Sequence, residues 1–313
     1  MRLACICPSP ALDHTMVVPS LAVDGAVRAS ASLTTAGGKA ANVARFARGF
    51  GAQVTLVALL GEHGADLYSA LAARDGLELA AVVVPGLAVR VCPVLVDPAG
   101  GTVLLVSDCP PAVDEAVWSK FVERSASAAA AADVACVSGS FPWVPGIDPA
   151  SSLLEALGTS TPVWVDTSGP ALAAAWPAPG VALKVNLEEA SELLGRGDRN
   201  ESETRDRTVA AASALGGGCD VVVTAGRAGA ASATEAGLRW QDAPVVEARN
   251  ATASGDAFMA AYLCAGRGEL AEARDPLRAG VAAGAANAGA WWPAAPTASV
   301  LGLLSTMGQG LQM

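Results

Sequence analysis

A regular change of hydrophobic period restricts the fold more than any other feature of this chain. Apolar, strand-like runs at residues 3–7, 54–60, 134–139, 163–166, 183–187 and 221–224 are separated by stretches with helical spacing at 40–49, 65–74, 112–132, 150–157, 188–194 and 208–215. Strands joined through helices pair in parallel, because the crossover carries the chain back to the same end of the sheet. The pattern therefore predicts βαβ units, a mostly parallel sheet with helices on both faces, and ligands at the carboxyl ends of the strands. Two stretches break the rhythm, 14–35 and 89–107, the second containing the turn Asp97-Pro-Ala-Gly-Gly101. Both read as short β runs without helices, and we expect them to pair into a small sheet that serves as a lid on a single domain spanning 1–313.

Bulk properties narrow the function. A chain of 313 residues, 52% hydrophobic, can bury a large core. No apolar run free of Gly, Pro or charge reaches membrane-spanning length. Residues 1–7 run directly into Pro8 and Pro10 and read as a first strand, not a signal peptide, so a cytoplasmic protein is expected. The seven cysteines are odd in number and sit mostly inside apolar runs (Cys92, Cys136, Cys264), while Cys5-Ile-Cys7 has the wrong spacing for a zinc knuckle. They read as small core residues in a reducing compartment. A formal charge of −10 and a pI near 4.7 argue against nucleic acid or an anionic membrane as partner. Lysine occurs only at Lys39, Lys120 and Lys184, and two of these lie inside motifs.

The stretch Asn250-Ala-Thr-Ala-Ser-Gly-Asp-Ala-Phe258 follows a run expected to be a buried strand, 243–248, and opens a helix expected from residue 257. Small residues at Ala253, Ser254 and Gly255 let a ligand approach the backbone, whose first helical amides point outward as anion donors. Asp256 in the first turn is either a base facing that anion or a complement to the helix dipole, with Ser254 or Thr252 as N-cap.

Other strand ends carry polar groups as well. Asp13, in Pro8-Ser-Pro-Ala-Leu-Asp13, is suited to a substrate hydroxyl or to an Asx turn. In Ala36-Gly-Gly-Lys-Ala-Ala-Asn42, paired glycines open a helix and place Lys39 and Asn42 on one face. A Walker A loop is excluded, since the earlier Gly and the Ser/Thr after Lys are missing. Arg28 and Arg90 lie in the two lid stretches, where a guanidinium can grip a phosphate by two bonds or simply face solvent. Ser138-Gly-Ser-Phe-Pro142 and Asp166-Thr-Ser-Gly169 follow strands. Lys184-Val-Asn-Leu-Glu-Glu189 spaces Asn186 and Glu189 for a capping box or for ordering Mg²⁺ waters beside nucleotide phosphates. Thr224-Ala-Gly-Arg-Ala-Gly229 offers a hydroxyl and two glycines to a nucleotide.

In this order the motifs Pro-Ala-Leu-Asp13, Gly-Gly-Lys39-x-x-Asn42, Ser-Gly-Ser140-x-Pro, Asp166-x-Ser-Gly, Lys184-x-Asn186-x-x-Glu189, Thr224-x-Gly226 and Ser254-Gly-Asp256 resemble the ribokinase-like carbohydrate kinases, the phosphofructokinase B family. The likeness spans about the whole chain and is greatest to the branch of 1-phosphofructokinase and tagatose-6-phosphate kinase. It implies a three-layer α/β/α domain with a small β lid, ATP and Mg²⁺ as cofactors, and a homodimer paired through the lids. It further implies that Asp256 is the catalytic base and the backbone of Ala253, Ser254 and Gly255 the phosphoryl-binding hole. Asp13, Gly38, Lys39 and Asn42 would bind the sugar, with Arg90 and Arg28 for a phosphate it already carries. Lys184, Asn186, Glu189, Thr224, Gly226, Gly229 and Asn287 would serve the nucleotide, Asn186 and Glu189 meeting the metal through water.

The chain departs from the pattern at several positions. Ala253 stands at the first position of the family's Gly-Ala-Gly-Asp, Ala40 and Ala41 follow Gly-Gly-Lys, and Ala26 replaces a cation found in some members. Thr102–Pro110 replaces a Thr-Glu-x-Asn-like run. The acceptor expected is a sugar phosphate. The alternatives are an unphosphorylated sugar, nucleoside or specialised metabolite, toward which Asp108 would tilt the site, and a non-catalytic sensor that keeps the fold.

Overall fold

The computed structural model describes residues 1–21, 24–195, 204–293, 296–308 and 311–312. The chain begins with β1 (Arg2–Cys7), β2 (Ala11–Val17), β3 (Ala31–Gly37), α1 (Lys39–Gly49), β4 (Gln53–His63), α2 (Ala65–Arg74), β5 (Glu78–Ala88), β6 (Arg90–Asp97) and β7 (Thr102–Leu105). It continues through α3 (Glu115–Ala130), β8 (Val134–Ser138), α4 (Pro149–Leu157), β9 (Val163–Asp166), α5 (Gly169–Ala175), β10 (Val181–Asn186), α6 (Leu187–Leu193), α7 (Thr204–Leu215) and β11 (Val221–Thr224). The last elements are β12 (Gly229–Thr234), β13 (Gly237–Asp242), α8 (Ser254–Cys264), α9 (Pro276–Ala288), α10 (Thr297–Thr306) and β14 (Leu311–Gln312).

Ten strands form the central sheet in the order β14-β13-β12-β11-β10-β9-β8-β1-β4-β5, parallel from β11 to β5 and antiparallel beyond. β1, β8 and β9 are apolar on both faces because helices cover both. One core, between the sheet and α1, α2, α8, α9 and α10, contains Phe46, Phe50, Tyr68, Phe258 and Met259. The other, under α3 to α7, contains Trp118, Phe121, Leu153, Leu215 and Trp240. This is the expected three-layer α/β/α arrangement. β1 lies between β4 and β8, so the direction of winding reverses there and a cleft opens at its carboxyl end.

A second sheet has the order β3-β2-β6-β7, so the two stretches 14–35 and 89–107 do pair. Its turn at 97–101 is set by Asp97, whose carboxylate accepts from the amides of Gly100 at 2.8 Å and Leu21 at 2.9 Å. Both bonds hold its pKa below the usual carboxylate range. Among the described residues no helix is long and apolar enough to cross a membrane.

The structure corrects the expected strand at 243–248. These residues lie in no strand, and Val245 is fully exposed. Pro244 has no N–H to give a ladder, and β14 pairs with β13 at this edge instead. The helix expected from 112 begins at Glu115, where Asp114 accepts from the Val117 amide at 2.7 Å and acts as N-cap. α8 begins three residues before the expected start at 257. β5, β12, β13, α5 and α10 had no counterpart among the periodic runs.

The two sheets meet near Gly61, where the β4–β5 register shifts. A Cβ on Gly61 would lie 2.4 Å from the Ala88 carbonyl carbon, which is backbone and cannot swing away. Gly61→Ala is therefore expected to cost about 1–3 kcal/mol of stability, read as a lower denaturant midpoint with an unchanged slope.

Candidate functional site

The site is organised at the start of α8. The preceding residue, Ala253, has φ 63° and ψ 10°, and it is the only non-glycine with positive φ among the described residues. That left-handed conformation costs an alanine about 1 kcal/mol and needs outside support. Asn250 accepts from the Thr252 amide at 3.0 Å and donates to the Trp291 carbonyl at 3.1 Å. The amides of Arg249 and Asn250 both donate to the Ala288 carbonyl. Asn287, fully buried on α9, donates through Nδ2 to the Thr252 carbonyl at 2.8 Å and to Ser254 Oγ at 3.1 Å. Within the turn the amides of Ser254 and Asp256 are already engaged, by Ala251 O and Ala253 O. The amides of Ala253 and Gly255 make no hydrogen bond to the described residues, so they are the pair left to bind an anion.

Asp256 follows, buried, with Oδ2 accepting from Asn42 Nδ2 at 2.9 Å. Burial pushes its carboxyl up to about 6, and the negative charge of Asp166 adds to the rise. Lys39, Lys184 and the Asn42 amide oppose it. Asn42 is oriented in turn by Arg45, which donates to its Oδ1, to the Ala36 carbonyl, and ion-pairs with Asp75.

Asp166, at the end of β9, has no exposed side-chain surface and divides its carboxylate between two lysines. Oδ1 accepts from Lys39 Nζ at 2.9 Å and Oδ2 from Lys184 Nζ at 2.6 Å. Burial acts to raise its pKa, but the two ammonium groups hold it below the usual range. Lys39 is raised in turn, chiefly by Asp166. Lys184 reaches the anion hole, since a Cβ on Gly255 would lie 2.8 Å from its Nζ.

On the other side of Asn42 lies a polar corner. Asp13 packs so closely on Gly37 that a Cβ there would fall 2.1 Å from its carboxyl carbon. Burial raises the pKa of Asp13 against Arg45, the Gly38 amide, Asn42 and Arg90. Gly38 takes φ 95° at the head of α1, which brings the chain onto Cys7 and Pro10.

Beyond the anion hole a cavity of about 520 Å³ extends between β11 and α9. Thr224, Gly226 and Gly229 line it with Ser254 and Gly255, and its apolar walls include Phe258, Val281 and Val246. The expected nucleotide motif and the anion hole therefore share one space, of the size a mononucleotide requires. Asn287 stands behind the turn rather than on the cavity wall.

Asn186 and Glu189 form the capping box. Asn186 Oδ1 accepts from the Glu189 amide and Glu189 Oε2 from the Asn186 amide, both at 2.8 Å. Glu189 Oε1 is left facing the site, 4.0 Å from Lys39 Nζ. No group of three His, Cys, Asp or Glu able to hold a metal occurs among the described residues. A single free carboxylate oxygen suits Mg²⁺ carried mainly by phosphates and water, as that ion prefers.

The two arginines are placed differently. Arg90 spends its guanidinium on backbone, donating from Nη1 to Asp108 O at 2.5 Å and from Nη2 to Ser9 O at 2.6 Å. Arg28 is exposed in the loop between β2 and β3 and bonds to none of the described residues. Arg28, Lys39 and Arg90 thus have no common partner. Sequence reasoning gave Asp166 and Arg45 no role and placed Lys184 with the nucleotide alone. The available signal was an aspartate closing the apolar run 163–166 in a chain with only three lysines.

Residues 9–290 match the pfkB family of carbohydrate kinases. A 1-phosphofructokinase of Rhodobacter capsulatus is 34% identical over 202 residues, 63% of this chain and 62% of that protein, so the aligned part spans less than two thirds of the relative. The tetrameric inhibited form of phosphofructokinase-2 from Escherichia coli superposes with a TM-score of 0.82 at 23% identity, covering 97% of this chain and 98% of that one. A possible 1-phosphofructokinase from Thermotoga maritima does so with 0.85 at 18% identity over 100% of both chains. At these identities the two structures share the fold. The family match covers most of the chain, motifs and site together, and this protein belongs to the pfkB family of carbohydrate kinases.

Proposed function

We propose that the protein transfers the terminal phosphoryl group of ATP to a hydroxyl of a sugar phosphate, in the manner of a 1-phosphofructokinase. The observation that carries this reading is the position of Asp256. Its buried carboxylate is bonded to Asn42 on the acceptor side and stands one residue from the open Gly255 amide, at the end of the nucleotide-sized cavity.

Asp13, Gly38 and Asn42 hold the acceptor, and Lys39 lines the same cleft. Asp256 takes the hydroxyl proton as the new O–P bond forms and the bond to the leaving ADP oxygen breaks. The amides of Ala253 and Gly255, with the Lys184 ammonium behind them, meet the charge on the phosphoryl oxygens. Such fixed donors contribute most of the work in phosphoryl transfer, which needs alignment more than a strong base. Thr224, Gly226 and Gly229 receive the nucleotide, and Asn287 keeps the turn in shape. Mg²⁺, met through water by Glu189 and Asn186, would neutralise the phosphates when bound.

The small sheet acts as the lid. Val91, Leu104, Leu105 and Val106 expose apolar surface on it, which supports pairing with a second copy. For a phosphate already on the sugar the candidates are Arg90 and Arg28, and Arg90 must release carbonyls to bind one. That commitment of Arg90 favours a second reading, a neutral sugar or nucleoside acceptor.

An acceptor panel separates the two. ADP release with fructose 1-phosphate, fructose 6-phosphate or tagatose 6-phosphate is expected to exceed that with ribose, fructose or nucleosides, and turnover confined to neutral acceptors would replace the first reading by the second. Asp256→Asn is expected to lower kcat roughly 10²- to 10⁴-fold while ATP affinity stays within a few-fold, as calorimetry would report. The base works only when ionised, so raising its pKa to about 6 removes activity as pH falls through that value. The acid limb of kcat/KM should bend near pH 6, and a profile flat down to pH 4.5 would remove Asp256 from the role.

A further inference from the structure

We infer that Asp166 is a positioning residue for phosphoryl transfer, one that fixes the Lys184 ammonium against Gly255 and the Lys39 ammonium at the head of α1. The inference rests on the phosphotransferase reading and adds a residue that the motif gave no task. Its first support is geometric. The two carboxylate oxygens are divided between two cations, at 2.9 and 2.6 Å, and the side chain has no contact with water. The backbone of Asp166 is held as firmly, its carbonyl accepting from the Gly139 amide at 2.9 Å and from Ser138 Oγ at 3.3 Å. A lysine side chain carries much rotamer freedom, and an ammonium has no directional fork of its own. A rigid carboxylate at the end of a buried strand supplies the direction.

The second support is where the two cations arrive. Lys184 meets the α-carbon side of Gly255, one of the two residues whose amides remain open. Lys39 is the first residue of α1, three before Asn42, the partner of Asp256. A charge placed before the reaction does not reorient during it, which is where electrostatic catalysis gains most.

The third support is the charge Asp166 presents to the base. Asp256 is faced by Lys39 and Asn42 from α1, by Asp166 from β9, by Lys184 from β10 and by the Cys136 thiol from β8. Of these Asp166 is the only anion, so it keeps Asp256 protonatable in a pocket with two lysines. Replacing it by a neutral group removes the repulsion and frees both ammonium groups to attract Asp256. The base would then ionise at lower pH. A residue that merely satisfied two lysines structurally would lower stability while leaving kcat of the folded variant near that of the wild type.

The test uses Asp166→Asn and, because two lysines then lose their counterion, Asp166→Asn/Lys39→Met as a second variant with one fewer cation. Circular dichroism selects the folded ones. In a folded variant kcat is expected to fall roughly 10²-fold with KM for ATP changed less than about fivefold, and the acid limb should move to lower pH. Independently of turnover, ¹³C-carboxyl NMR of the apo protein follows Asp256, assigned by its loss in Asp256→Asn. Its midpoint should lie lower in Asp166→Asn than in the wild type, and lower in Asp166→Asn/Lys39→Met than in Lys39→Met alone, because Lys39 opposes the rise that Asp166 causes. An unmoved midpoint, or kcat within threefold of wild type, overturns the inference. If the wild type turns over no acceptor, the proposed function fails by itself, while the NMR midpoint still tests whether Asp166 presents its charge to Asp256.

Discussion

A carboxylate with no access to water is the constraint on which the site depends. Asp166 ends a four-residue strand buried on all sides, where an isolated charge would be costly by many kcal/mol. It stays ionised because Lys39 reaches it from α1 and Lys184 from β10. Removing one partner of the buried Asp166–Lys184 pair typically costs about 3–5 kcal/mol, so β9 and β10 are tied firmly at this point, while Lys39, whose side chain is 41% exposed, adds a weaker, water-screened tie to α1. The same bonds bring the start of α1, and with it Asn42, to Asp256. Electrostatic satisfaction and site assembly are here a single arrangement.

Close backbone approach is the other half. Gly37 lies where any side chain would enter the Asp13 carboxyl, and Gly255 where one would displace Lys184. Both glycines are set by the polar group they admit, not by a turn. Ala253 shows the opposite case. It takes a left-handed conformation that a glycine would accept freely, and the contacts of Asn250 and Asn287 offset the strain. The alanine departure in the motif therefore leaves the shape of the turn intact.

The layers and most parallel strands were legible because helical and strand periods differ, and because a strand buried on both faces is a continuous apolar run. The edge was less legible. β12 and β13 are rich in small and polar residues, and 243–248 has the apolar content of a strand while lying along a cavity rim. Within the site, each motif disclosed its own residues but not its partners. Asn42 and Asp256 are 214 positions apart, and Lys39 and Asp166 are 127 apart. Only the fold relates them. Arg90 illustrates the limit: a lid arginine suggests an anion grip, yet its nearest acceptors are the carbonyls of Ser9 and Asp108.

Glu189 shows why a structural and a functional reading of one residue need not compete. Its Oε2 closes the capping box and sets the side chain, and that fixation leaves Oε1 turned toward Lys39 and the cleft. A carboxylate has two oxygens with separate lone pairs, so one can serve the helix while the other serves a ligand. Asp166 divides its oxygens between two lysines in the same way, and Asn42 gives its amide nitrogen to Asp256 while its oxygen takes Arg45. Across the site, each such side chain divides its polar atoms between two partners, which lets a scaffold of small residues hold a rigid polar site.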